Sequence, residues 1–118
     1  MMTPMDDLVQ FLRDRLDDDE QTARAAHVPN WSTDGRRGLH YGVEDGWMAD
    51  ALTTADADHI ARHDPARILR DVEAKRRLID WVLRWPMRPA PPSSVDGVLE
   101  LLALPYADHE AYRDDWRP

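Results

Sequence analysis

Apolar residues recur at helical spacing from the start of the chain: Leu8, Leu12 and Leu16, then Ala23 and His27, with Val9 and Phe11 widening the stripe. Asp14, Asp17, Asp18 and Glu20 face away from it. The segment opens on Thr3-Pro4-Met5-Asp6-Asp7. Thr3 can cap a free amide, Pro4 suits a first helical position, and the two aspartates complement the positive end of a helix dipole. This pattern predicts a helix over residues 4–27.

The period is lost over 28–55, where Pro29, Gly35, Gly38, Gly42 and Gly46 interrupt the chain and Asp34-Gly35 and Asp45-Gly46 are hairpin-turn dipeptides. A short strand around 39–43 is expected, with a second on either side carrying Trp31 or Trp47. So small a hairpin needs a helix to lean on.

Helical spacing returns at Ala55, first as a short turn over 56–62 and then as a long helix with Asp64 as cap and Pro65 at its first position. Ile68, Leu69, Val72, Ile79 and Leu83 form one stripe. Asp71-Lys75, Glu73-Arg77 and Asp80-Arg84 are acid-before-base pairs four apart, each worth about 0.2–0.5 kcal/mol. The helix is expected to reach Trp85. Leu78, Trp81 and Trp85 lie off the stripe, so a second apolar side must be covered, either by a following helix or by another subunit. Pro86, Pro89, Pro91 and Pro92 stop the helix and make 86–94 a linker. Ser93 or Ser94 then caps a short apolar helix over 95–104, ended by Pro105. In the tail, Asp108 can cap one or two last turns, with Tyr112 and Trp116 four apart.

These elements predict a mainly α fold, or α+β with a small hairpin, in one domain spanning 1–118. The 4–27 helix packs on the long helix of the 56–85 segment, the irregular hairpin caps one end, and the C-terminal short helices cover the tryptophan side. A chain of 118 residues supports one modest core.

Charge refines the picture. The net charge of -8 divides as -5 over 1–20, -3 over 21–58, +4 over 59–88 and -4 over 94–118. Such a chain either folds acidic helices onto a basic one or presents separate acidic and basic faces to partners. Arg70, Arg77 and Arg84 share one helix face, and Lys75-Arg76-Arg77 adds local positive density. The acidic total and the lack of any nucleic-acid-binding motif still argue against direct nucleic-acid contact. No apolar run approaches the ~20 residues of a membrane span, and the start has no secretory leader pattern, so a cytoplasmic protein is expected. Arginine outnumbers lysine fourteen to one, as a GC-rich genome would give.

Three stretches carry a resemblance. Residues 5–13 (Met-Asp-Asp-Leu-Val-Gln-Phe-Leu-Arg), residues 59–77 (beginning His-Ile-Ala-Arg-His-Asp-Pro-Ala-Arg) and residues 101–118 (with Leu-Ala-Leu-Pro-Tyr-Ala-Asp-His) resemble a family of small actinobacterial and phage-associated proteins, a domain of unknown function. The resemblance implies the helical layout and a bacterial setting, and it transfers no activity. It also implies, in relatives, a histidine and several cysteines between the long helix and the Leu-Pro-Tyr segment, as in a small metal knuckle. Val82 stands where that histidine would lie and cysteine is absent, so the resemblance implies no such metal site here.

Candidate chemistry is sparse. His59 and His63 lie four apart, as in some zinc sites, but Ile60 occupies the place of the general-base glutamate of zincins, and a third ligand would have to be His109, Asp108 or His27. The plainer reading gives His63 and Asp64 to the helix start and His59 to the core edge. The run Asp17-Asp18-Asp19-Glu20 lacks the glycine and the twelfth-position glutamate of an EF-hand loop and reads as a solvated helix face. With 23 acidic residues, any chosen pair of catalytic carboxylates is arbitrary. The expectation is therefore a protein that is not an enzyme and holds no cofactor. A protein-interaction module comes first, with Trp81, Trp85 and Trp116 as partner-binding or core-closing residues and with a protein partner or self-association. The alternatives are a metal-assisted hydrolase using His59 and His63, and an acidic mimic of nucleic acid built from Asp14, Asp17, Asp18, Glu20, Asp114 and Asp115.

Overall fold

Thr3 and Asp6 form a reciprocal cap at the head of the first helix. The Asp6 amide donates to Thr3 Oγ1 at 3.1 Å and the Thr3 amide donates to Asp6 Oδ2 at 3.0 Å. In the computed structural model, which describes residues 3–42, 46–84 and 92–118, this helix, α1, spans Pro4–Ala25. It stops two residues short of the expected 27. Pro29 disfavours helical backbone at Val28, and the last turn tightens, with the Ala26 amide on the Ala23 carbonyl at 3.3 Å. His27 therefore lies beyond the helix, exposed, with its ring 5.3 Å from that of Tyr41.

Three short strands follow, β1 (Trp31–Thr33), β2 (Gly38–Tyr41) and β3 (Trp47–Asp50), in an antiparallel meander of order β1-β2-β3. Trp31 pairs with Tyr41 and Thr33 with Leu39, and a register shift falls between Leu39 and His40 on the β3 side. Both tryptophan-bearing segments are thus strands. The Asp34-Gly35 turn is longer than a two-residue hairpin because the Asp34 carboxylate organises it, accepting from the Arg36 amide at 2.8 Å and the Gly38 amide at 3.2 Å. Gly35 has φ +80°, which a Cβ would penalise, and a Cβ at Gly38 would run into the Asp34 carboxylate. The Asp45 half of the second turn dipeptide lies outside the described residues.

Helix α2 (Thr54–Arg62) is capped by Thr53, whose hydroxyl accepts from the Asp56 amide at 3.0 Å. Helix α3 (Pro65–Leu83) opens as expected, with Asp64 Oδ1 accepting from the Arg67 amide at 2.9 Å. Helix α4 is Pro92–Ala103, so Ser93 and Ser94 sit within its first turn, not at a cap; proline at the first helical position needs no amide partner. Trp85 and residues 86–91 of the expected linker lie outside the described residues. The tail is made of short 3-10 turns, Leu104–Tyr106 and Asp114–Trp116.

The chain divides into two units, Met1–Asp18 with Glu73–Pro118, and Asp19–Val72. In the first, Leu8, Phe11, Leu12 and Leu16 of α1 are buried, as are Ile79 and Val82 of α3, Leu99 and Ala103 of α4, and Trp116. Arg13 faces Asp80 at 3.5 Å and Asp17 meets Arg76 at 2.7 Å. Advancing four residues on α1 retreats four on α3, so the two segments run antiparallel. In the second unit α2 lies against β1 and β2, and Ala23, Leu39, Ala57, Pro65 and Val72 are buried. Among the described residues, no helix is long and apolar enough to cross a membrane.

Candidate functional site

The outer side of α3 carries the residues that the helical pattern set apart from its core stripe. Ile79 and Val82 are buried, whereas Leu78 is 37% exposed and Trp81 48% exposed. Three residues apart on a helix, Leu78 and Trp81 are surface neighbours, and Arg77 and Arg84, four before and three after Trp81, flank the indole. Arg77 is braced by Glu73 at 2.8 Å within the same helix.

Trp116 takes the opposite part. It is 5% exposed, its ring 5.0 Å from that of Phe11 and 5.8 Å from that of Tyr112, so it closes the core of the first unit and offers no surface to a partner. Phe11 is the centre of an aromatic cluster that also takes in Tyr106, His109 and Tyr112 at 5.8–6.3 Å. Arg15 lies over the Phe11 ring, 5.3 Å from its centroid, and its guanidinium also meets the imidazole of His109. Inside this cluster the Arg15 Nε, Tyr112 hydroxyl and Trp116 Nε1 are buried with no hydrogen-bond partner among the described residues. The expected spacing of Tyr112 and Trp116 was visible in the residues; that both would turn onto a phenylalanine more than 100 positions earlier was not.

The histidine pair is local. The His59 and His63 rings lie 4.3 Å apart, tilted by 34°, and both side chains are exposed, so His59 is a surface residue, not an edge of the core. His63 Nδ1 lies 2.7 Å from the His59 carbonyl oxygen, which can only accept, so Nδ1 carries the proton in that bond. His109 is engaged elsewhere: besides meeting Arg15, its Nδ1 accepts from the Ala111 amide at 3.0 Å. Among the described residues, no three His or carboxylate side chains gather as a group that would hold a metal. Val82 is 2% exposed and part of the apolar core.

Several of the acidic residues of α1 meet cations. Asp17 binds Arg76, Asp18 lies 3.3 Å from Arg15, and Glu20 binds Arg24 at 2.7 Å. Asp14 accepts from Gln10 at 2.8 Å. In the tail Arg113 reaches both Asp115 at 3.3 Å and Asp7 at 3.2 Å. Much of the negative array is therefore interleaved with guanidinium groups, as in the fold-on-itself reading of the charge pattern.

A hollow of about 360 Å³ opens in the second unit between the end of α1, Trp31 and the α2–α3 junction. Sequence spacing gave no sign of it, because its lining comes from three separated segments. Comparison with curated proteins and with solved structures yields no match. The profile of one family, described as a family of unknown function (DUF6221), matches residues 5–118, nearly the whole length, and the chain belongs to that family.

Proposed function

We propose that this chain is a protein-interaction module of a bacterium or its phage, cytoplasmic and without enzymatic activity of its own. The observation that carries the proposal is the exposed pair Leu78 and Trp81 on α3, with arginines on either side. Tryptophan and arginine are the residue types enriched at the energetic centres of protein interfaces, where one anchored indole contributes about 2 kcal/mol or more. The partner this face fits has an apolar pocket rimmed by carboxylates. The internal pairing of Asp17, Asp18 and Glu20 counts against the acidic-mimic alternative, since a basic target must displace arginines already in place. The two-histidine arrangement, with His109 bound to its own surroundings, gives a hydrolase no third ligand among the described residues.

Affinity capture from the native host at two salt concentrations tests the proposal. Capture is expected to persist in high salt and to fail for a Leu78→Ala, Trp81→Ala double variant whose circular dichroism is unchanged. Capture that collapses with salt, is lost in Asp17→Asn, Asp18→Asn and is indifferent to Trp81 would overturn it in favour of charge mimicry.

A further inference from the structure

We propose that the hollow of the second unit is a binding site for a small neutral apolar molecule, a compact hydrocarbon or uncharged aromatic ring. Its volume of about 360 Å³ falls at the small end of the range for ligand pockets, roughly 300–1,000 Å³. Ala23, Ala26, Trp31, Pro65 and Ile68 give most of its lining, and the two alanines leave open the space that larger side chains would fill.

The walls are fastened to one another by the chain itself. The Trp31 main-chain amide donates to Asp64 Oδ2 at 3.2 Å, and the Ala66 amide donates to the Pro29 carbonyl at 2.9 Å. The approach to β1 is thus tied at two points to the α2–α3 junction, which supplies Pro65 and Ile68. Asp64 Oδ1 meanwhile caps α3 through the Arg67 amide at 2.9 Å, so the same carboxylate fixes the start of the helix and the position of Trp31. A hollow whose walls are set before a ligand arrives binds at a lower ordering cost.

The polar groups around the hollow are spent on the protein, and that decides the class of ligand. Trp31 Nε1 donates to the Val28 carbonyl at 3.0 Å, and His63 Nδ1 is taken by the His59 carbonyl at 2.7 Å. Asp19 has a partner of its own, and Thr22 is on the exposed side of α1. Among the described residues of the lining, none is a lysine or an arginine. A cation would meet a carboxylate already engaged, and an anion would meet no basic side chain. Either would exchange its water for alanine, proline and isoleucine, and burying a charge without compensation is costly. A neutral apolar molecule loses no such hydration and gains in proportion to the area it removes from water.

The test uses the full chain and follows the δ1 methyl of Ile68 by carbon-13 NMR, assigned through Ile68→Val, with the methyl of Ile79 in the other unit as control. Three probes share one ring: toluene, benzylamine as its cation, and benzoate. Toluene is expected to shift the Ile68 signal saturably and leave Ile79 unmoved, with a dissociation constant about tenfold or more below that of either ion. Ala26→Leu, which fills the hollow, should abolish the shift; Ala26→Met, filling it with a more adaptable side chain, serves the same purpose should the first variant lose its fold. No saturable shift with toluene, equal or tighter binding of benzylamine or benzoate, an Ile79 shift that tracks that of Ile68, or binding undiminished in the filled variants overturns the proposal. None of these outcomes depends on Leu78 or Trp81, so the result stands apart from that of the interaction test.

Discussion

Asp64 does two jobs with one carboxylate. Oδ1 caps α3 through the Arg67 amide, and Oδ2 accepts from the Trp31 amide at the start of β1. Asp64→Ala therefore removes a cap, worth about 1 kcal/mol, and strands a part-buried amide, worth about 1–3 kcal/mol more. A fall of roughly 2–4 kcal/mol in unfolding free energy is expected from denaturant titration, whereas Asp64→Asn, which retains an acceptor for either amide, should cost less than half as much. Two other aspartates set the acid limit. The Arg36 amide, with the Gly38 amide and His40 helping against partial desolvation, holds Asp34 below the ordinary 3.8, and the Thr3 amide and hydroxyl do the same for Asp6. A carboxylate whose pKa is lower folded than unfolded adds stability above its unfolded pKa and loses it as pH falls through the folded value. Stability should therefore be level above pH 5 and decline below about 3.8, and Asp34→Asn should flatten part of that decline in urea midpoints measured from pH 5 to pH 2.5.

At the scale of elements, the helices were legible wherever a cap, a proline and a 3.6-residue stripe coincided. Thr3-Pro4-Asp6 and Asp64-Pro65 mark the starts of α1 and α3, and Leu8, Leu12, Leu16, Val72 and Ile79 are buried as their spacing requires. The start of α4 was misplaced because Ser93 and Ser94 look like caps while Pro92 is equally suited to begin the helix itself, and only the backbone decides between them. Local pattern also could not say that Trp116 turns inward to Phe11 while Trp81 stays about half exposed, since both precede or follow charged residues in much the same way. Gly97 in α4 offers an element-scale check. Among the described residues, a Cβ there would meet nothing within 4 Å, so none of them explains the glycine by a close approach. Gly97→Ala should raise stability by about 0.5–1 kcal/mol, through helix propensity and reduced freedom of the unfolded chain. A loss of stability would mean that the residue is held for a contact made with something other than the described residues.

For the whole molecule, the question is whether its charges work for the fold or against it. Arg13 with Asp80, Asp17 with Arg76 and Arg113 with Asp7 are pairs between separate parts of the chain, yet their side chains are about 36–60% exposed, and exposed pairs contribute only ~0–1 kcal/mol each. Against them stands a net charge of -8, whose mutual repulsion disfavours any compact state. Salt screens both, over about 8–10 Å at ordinary ionic strength. Close pairs resist screening better than diffuse repulsion does, so added sodium chloride removes more of the cost than of the gain. The thermal midpoint at pH 7 should accordingly rise by a few degrees, about 1 kcal/mol, between 20 mM and 500 mM salt, and Asp17→Asn should raise it little because the lost pair and the relieved repulsion offset each other. A midpoint that falls steeply with salt would show that the ion pairs dominate, and it would then make the acidic face of α1 a structural necessity with nothing left over for a partner.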